Sequence, residues 1–406
     1  MPTKHTFASA DVLRTSAILA VFIHHSAKIS ILTFHGGVHD LTFLGTWGVD
    51  CFFVLTGYLL SRPYLTSIIN NEPLPSVKYF LTRRFLRIYP LYFVCLIASS
   101  VDLTLTGVPP TLGDIITHVF MIHNFSPSTI VSINGPLWTM ALDAQFYVLL
   151  PLVAVVLHVI LRGQNRTTRI NVIWLAIGAT VLVSILERLI VTSVFLRQSP
   201  VPLESFSLET HNIVGMASEF ALGIAFAQLT SQWSLKGSVT AQILVALGVI
   251  PVLTIVANAM ESLNMHRFIQ TAVSITFRDL LGGCVGLMIL WILMTLEWPL
   301  MRRWMASVWM QTSASLAYGI YLFHYPILQH VSRGFGTRLG SAPMITAAIG
   351  VLALAISILV AIVVHRLIER PFLNLRERAR DKTVGKTYNA AAESVANYTA
   401  PTFPTS

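Results

Sequence analysis

The 406-residue chain is 54% hydrophobic and only 11% charged, carries a formal net charge of +9, and has a mean hydropathy of +0.69. That is more apolar surface than a soluble domain can bury, so the composition excludes a soluble enzyme and assigns a polytopic membrane protein. The three cysteines, Cys51, Cys95 and Cys284, lie in apolar runs without CxxC spacing, which argues against a disulfide framework or a thiolate metal site.

Apolar runs of helix-spanning length recur along the chain, and their Gly, Pro and Ser content suits helices packed in lipid rather than barrel strands. Ten spans are predicted, at roughly 12–33, 46–68, 89–107, 136–160, 170–195, 212–231, 240–258, 272–297, 312–331 and 343–367. The expected fold class is therefore all-α. No small-residue cleavage site follows Lys4 and Arg14, so the first run is read as an uncleaved span.

Charge tests this count. Most of the 27 Lys and Arg fall on one set of alternate segments. These are Lys4 and Arg14; Arg62, Lys78, Arg83, Arg84 and Arg87; Arg162, Arg166 and Arg169; Lys236; Arg302 and Arg303; and the run from Arg366 to Lys386. Short cytoplasmic loops hold the basic residues of membrane proteins, so both termini are predicted to be cytoplasmic. The same rule explains the positive net charge without nucleic acid.

In the first span, Arg14 and His25 are eleven residues apart. At ~100° per residue they share one helix face, separated by ~16 Å along the axis. Arg14 falls near one membrane surface and His25 near mid-bilayer, where an ionisable group marks a site or pathway inside the protein. His24 lies ~100° around the helix and is read as packing. Between spans two and three, Phe80, Phe85 and Ile88 alternate with Arg83, Arg84 and Arg87, which predicts a cytoplasmic interfacial helix from Ser76 to Pro90. The segment Gly107–Gly135 lacks Lys and Arg but contains the apolar stretch Ile115–Ile122, with His118 and His123 near it. It is expected to be a partly inserted lid or a re-entrant piece. The membrane body extends over 1–373, and the polar, Thr/Pro/Ser-rich end, 374–406, is expected to be a disordered cytoplasmic tail.

Six segments occur in a telling order: Asp11-Val12-Leu13-Arg14 with His25; Gly48-Val49-Asp50-Cys51-Phe52-Phe53 continuing to Thr56-Gly57-Tyr58; Arg84-Phe85-Leu86-Arg87-Ile88-Tyr89-Pro90; Pro136-Leu137-Trp138-Thr139 continuing to Gln145-Phe146-Tyr147; Tyr318-Gly319-Ile320-Tyr321-Leu322-Phe323-His324-Tyr325-Pro326; and Glu369-Arg370-Pro371-Phe372. Together they resemble the acyltransferase 3 family of bacterial integral-membrane O-acyltransferases. The resemblance implies transfer of an acyl group, acetyl foremost, from acyl-CoA to a hydroxyl of a carbohydrate or related acceptor. Its expected partners are acyl-CoA, a sugar or glycan acceptor and membrane lipids. No permanently bound cofactor and no metal is expected, because the 13 histidines are scattered.

Such chemistry needs a base for the hydroxyl, donors for the oxyanion and cations for the donor's phosphates. His25 is the candidate base, since imidazole titrates near neutrality; the competing reading is a buried interhelical donor. The resemblance pairs Arg14 with His25 as a functional unit, against a snorkelling anchor paired to Asp11. Arg84 and Arg87, three apart on one face, present two guanidinium forks to CoA phosphates, or else meet anionic lipid. Asp50 and Asp143 fall near the outer ends of spans two and four as acceptor-positioning carboxylates, Asp143 with a possible catalytic part. The family's fourth-span motif usually carries two adjacent acidic residues, where this chain has Asp143-Ala144. Trp138 is a stacking candidate for the acceptor. His324 is a second polar wall of the site, or a helix–helix bond before Pro326. Glu369, beside Arg370 as an ion pair, becomes a candidate through the family pattern. Arg278-Asp279 and Glu187-Arg188 are read as partnered structural charges. A rival function is a proton-coupled transporter or lipid flippase using His25, Asp50, Asp143 and His324 as a relay.

Overall fold

The computed structural model describes residues 4–29, 45, 47–198, 211–232, 267–295, 298–339 and 343–374. The regular structure among them is helical, with no strand. The helices are α1 (Lys4–Ile29), α2 (Trp47–Asn70), α3 (Val77–Leu105), α4 (Leu112–Val119), α5 (Trp138–Ile160), α6 (Arg166–Gln198), α7 (Ala217–Gln232), α8 (Arg267–Thr295), α9 (Pro299–Met305), α10 (Val308–Leu339) and α11 (Pro343–Val364). A π-helical turn, His365–Glu369, extends α11.

Six stretches are long and apolar enough to cross a membrane: Trp47–Asn70, Val77–Leu105, Gly135–Ile160, Arg166–Val191, Arg278–Thr295 and Ala347–Asn374. They fall on predicted spans two, three, four, five, eight and ten. Helices α1, α7 and α10 occupy spans one, six and nine; span 240–258 and most of the predicted tail lie outside the described residues.

Helix α2 forms the middle of the bundle, packing against α7, α8 and α1. Its seam with α7 is a backbone contact. A Cβ added at Gly57 would overlap the Phe220 carbonyl, and one at Gly223 would overlap the Val54 carbonyl and lie 2.7 Å from the Tyr58 nitrogen. Without a hydrophobic drive between lipid-immersed helices, such small-residue seams supply association through close van der Waals contact. On the other side of α2, Gly48 lets α1 approach; a Cβ there would stand 2.6 Å from the Ala17 carbonyl oxygen. Helix α10 packs against both α1 and α11.

One expectation is corrected. The predicted interfacial helix and the third span are one 29-residue helix, α3, capped by Ser76 and running through Pro90. Proline removes one backbone hydrogen bond, and burial of Leu91, Tyr92 and Cys95 immediately after it offsets that loss. The stretch 107–135 is a capped eight-residue helix, α4, and a series of turns strapped onto α3. A reciprocal capping box between Thr111 and Asp114 starts α4. Tyr89 donates to the Val119 carbonyl (3.0 Å) and Tyr92 to the His118 carbonyl (2.9 Å). His118 and His123 are fully buried and stacked at 3.9 Å. Burial holds the His118 pKa below the ordinary imidazole value, and burial with the neighbouring His118 pushes His123 down to about 3.

Candidate active site

Five helices, α1, α2, α3, α5 and α10, enclose a cavity of about 560 Å³. Its size is that of a small-molecule site. Arg14 reaches it from α1, and Arg83, Arg84 and Arg87 from α3. Asp11 and Asp143 are its acidic lining residues, so four guanidinium groups face two carboxylates and the chamber suits an anionic guest.

The local sequence places these groups. Arg14 donates to Asp11 Oδ1 at 2.8 Å, one helical turn earlier. Arg84 lies over the rings of Phe80 (5.6 Å) and Tyr147 (5.7 Å), which hold its planar group against the wall. Arg87 follows one turn later on α3. Asp143 and Tyr147 are four apart on α5 and therefore share a face. Asp143 Oδ1 is buried without a hydrogen-bond partner among the described residues, and its carboxyl lies in the field of Arg84, Tyr147 and Arg87. Tyr318 and Tyr321 of α10 complete the wall. Tyr318 donates to the Ile88 carbonyl (2.8 Å), and the Tyr321 hydroxyl meets Thr139 Oγ1 (2.7 Å).

His25 and His324 come together outside the cavity lining. His25 Nδ1 and His324 Nε2 are 2.8 Å apart, with the rings stacked at 5.0 Å. Tyr325 meets the His25 ring edge-on at 5.2 Å. His324 is fully buried, and its ring lies 5.8 Å from that of Tyr321, so the dyad is one helical turn from the cavity's tyrosine wall.

The remaining candidates stand elsewhere. Asp50, expected near the acceptor, is 3% exposed and belongs to a buried charge cluster with Arg188, Glu219, Arg278 and Asp279. Arg188 binds Glu219 at 2.9 Å and Asp279 at 3.6 Å, and Arg278 binds Asp279 at 2.8 Å. A carboxylate taken out of water needs cations, and α6 and α8 supply them there. Trp138 stacks on His211 at 4.2 Å beside this cluster. Glu369 is bonded to His365 at 2.8 Å, four residues earlier, in place of the expected pair with Arg370. Glu369, the last residue of the π-turn, is only 6% exposed, while Arg370 is exposed. The four groups of a hypothetical proton relay thus occupy three places: Asp50 in the charge cluster, Asp143 in the basic cavity, and His25 with His324.

Sequence reasoning passed over His211 and gave Tyr318 and Tyr321 no role. The tyrosines carry a usable signal, since Tyr318, Tyr321 and His324 recur every three residues and so line one flank of α10. His211 carries none, because its stacking on Trp138 joins segments far apart in the chain.

A family model described as an acyltransferase domain, Acyl_transf_3, matches residues 7–365. The acyltransferase MdmB of Streptomyces mycarofaciens is 25% identical over 393 residues, covering 91% of this chain and 92% of MdmB. The peptidoglycan O-acetyltransferase OatA of Listeria monocytogenes is 33% identical over 157 residues, or 35% of this chain. The putative peptidoglycan O-acetyltransferase YrhL of Bacillus subtilis is 28% identical over 189 residues, or 43% of this chain. The matches cover 23% of OatA and 28% of YrhL. No solved structure matches the chain. With a cavity that gathers Arg14, Arg84 and Arg87 and a family match over nearly its whole length, the chain belongs to the acyltransferase 3 family.

Proposed function

We propose that this protein is a ten-span inner-membrane O-acyltransferase, with both termini cytoplasmic, that moves an acetyl or related acyl group from acyl-CoA to a hydroxyl of a carbohydrate or related acceptor. The observation that carries the reading is the basic cavity, in which Arg14 from one helix meets Arg84 and Arg87 from another. Guanidinium forks on two helices suit the phosphates of CoA, and the aromatic and aliphatic lining suits its acyl-bearing arm. The relatives named as acyltransferase or O-acetyltransferase support a hydroxyl acceptor.

In this reaction His25 takes the acceptor hydroxyl proton as its oxygen attacks the thioester carbonyl. The tetrahedral adduct collapses with cleavage of the carbon–sulfur bond, and the imidazolium returns the proton to the departing thiolate, giving an ester and CoA thiol. Asp143 and Tyr147 border the donor, and Glu369 supports the back wall through the field it shares with Tyr318.

The test uses purified protein with radiolabelled acetyl-CoA, following acetate release and transfer in wild type, His25→Ala, Arg14→Ala and Arg87→Gln. His25→Ala is expected to lose turnover while still binding CoA. Each arginine variant loses a charge-assisted phosphate contact, about 1.5–3 kcal/mol, and weakens donor binding roughly 10- to 150-fold. Wild type that neither binds CoA nor turns over acetyl-CoA faster than His25→Ala overturns the reading.

A further inference from the structure

We infer that His324 is a positioning residue for His25: it fixes the tautomer and orientation in which His25 presents Nε2, rather than Nδ1, to the acceptor hydroxyl. The inference rests on the proposed role of His25 as base and adds the group that acts behind it.

The hydrogen bonds determine the protons. His324 Nδ1 lies 2.6 Å from the Tyr321 carbonyl oxygen and 3.2 Å from that of Ile320. A carbonyl accepts only, so Nδ1 carries the proton and the neutral ring has its lone pair at Nε2. Nε2 faces His25 Nδ1 at 2.8 Å, and for that contact to be a hydrogen bond His25 must donate from Nδ1. His25 then has its own lone pair at Nε2. The direction of the chain is set by a helix backbone: Tyr321 and Ile320 sit one turn before His324 on α10, and their carbonyls move only if the helix does.

Burial strengthens the device. His324 is fully buried, between Phe22 at 6.2 Å and Tyr321 at 5.8 Å, and its ring is held on two sides. His25 is half-buried and is steered by the 5.0 Å stack on His324 and the edge contact with Tyr325. When His25 Nε2 takes the hydroxyl proton, the ring becomes cationic and its Nδ1–H bond to a neutral acceptor becomes charge-assisted, roughly twice as strong. His324 thereby favours the protonated, post-attack state without taking up a proton itself. The same arrangement explains the burial of His324: it lies outside the cavity lining, and its action passes through His25.

The replacement residues separate positioning from packing. Glutamine at 324 puts an amide oxygen near the place of Nε2, where it can accept from His25 Nδ1, while asparagine reaches only the place of Nδ1 and leucine supplies no acceptor. His324→Leu and His324→Asn are expected to lower kcat for acetyl transfer about 100-fold or more, within the range of a general base, with KM for acetyl-CoA changed less than about threefold. His324→Gln is expected to recover to within about tenfold of wild type. His25→Ala/His324→Leu should be no slower than His25→Ala alone, because the two act as one unit. Retained CoA binding and melting temperature confirm that each variant is folded; because asparagine and glutamine are both polar, their comparison stands even if leucine is not accommodated. Equal kcat in the glutamine and asparagine variants, whether both fall or both match wild type, overturns the positioning role. If His25→Ala itself turns over like wild type, the assignment of the base fails, and this inference with it.

Discussion

Gly57→Ala tests whether the active-site bundle depends on direct backbone contact between α2 and α7. The added methyl would overlap the Phe220 carbonyl oxygen, with the Phe220 Cα and carbonyl carbon both 3.1 Å away. The obstacle is main chain, so no side chain can swing aside and the helices must part. Against rigid main chain the overpacking cost falls at the upper end of its usual range, about 2–3 kcal/mol, and the better helix propensity of alanine returns about 1 kcal/mol, leaving a net loss of roughly 1–2 kcal/mol. Gly178→Ala on α6 is the control, since nothing lies within 4 Å of its added Cβ and only the propensity gain applies. Thr56, Leu59 and Leu60 of α2 line the cavity, so displacement of α2 should also weaken CoA binding. Thermal unfolding in detergent and CoA titration are the assays. Gly57→Ala that melts with Gly178→Ala, at or above wild type, would refute the close-contact argument.

Arg188→Leu strips Glu219 and Asp279 of a shared cation inside the bundle; breaking a buried pair costs about 3–5 kcal/mol, and Arg188→Leu/Glu219→Leu should regain part of it, as read from folded yield and melting temperature. Below pH 6.5 the unfolded 107–135 segment gains protons on His118 and His123 that the folded segment refuses, so its stability is intact above pH 6.5 and falls by about 1.4 kcal/mol per pH unit per histidine as pH drops toward the folded values. The opening free energy of residues 112–134, read from hydrogen exchange corrected for the pH dependence of the intrinsic rate, should fall between pH 7 and 5, and His123→Phe should blunt that fall; an opening free energy unchanged over this range would contradict the burial argument. Tyr92→Phe removes the bond to the His118 carbonyl and should raise exchange in α4 by about fivefold to tenfold, corresponding to about 1–1.5 kcal/mol.

Composition and period settle much about this protein. Hydropathy places the helices, since a lipid-crossing segment must be long, apolar and internally hydrogen-bonded. Helical spacing sets Arg84 beside Arg87 and Asp143 beside Tyr147, because residues three or four apart share a face whatever surrounds them. The ordered motifs carry the family. Tertiary packing alone decides which faces meet. The pairing of His25 with His324 spans 299 positions, and Asp50 joins Arg188, Glu219 and Asp279 through side chains from four helices. Helix α3 passes through Pro90 because burial just beyond it outweighs one lost hydrogen bond. Local spacing is written in the chain; the partners of a buried charge or a catalytic ring are chosen by the desolvation cost each must offset, and that cost exists only once the helices have closed around it.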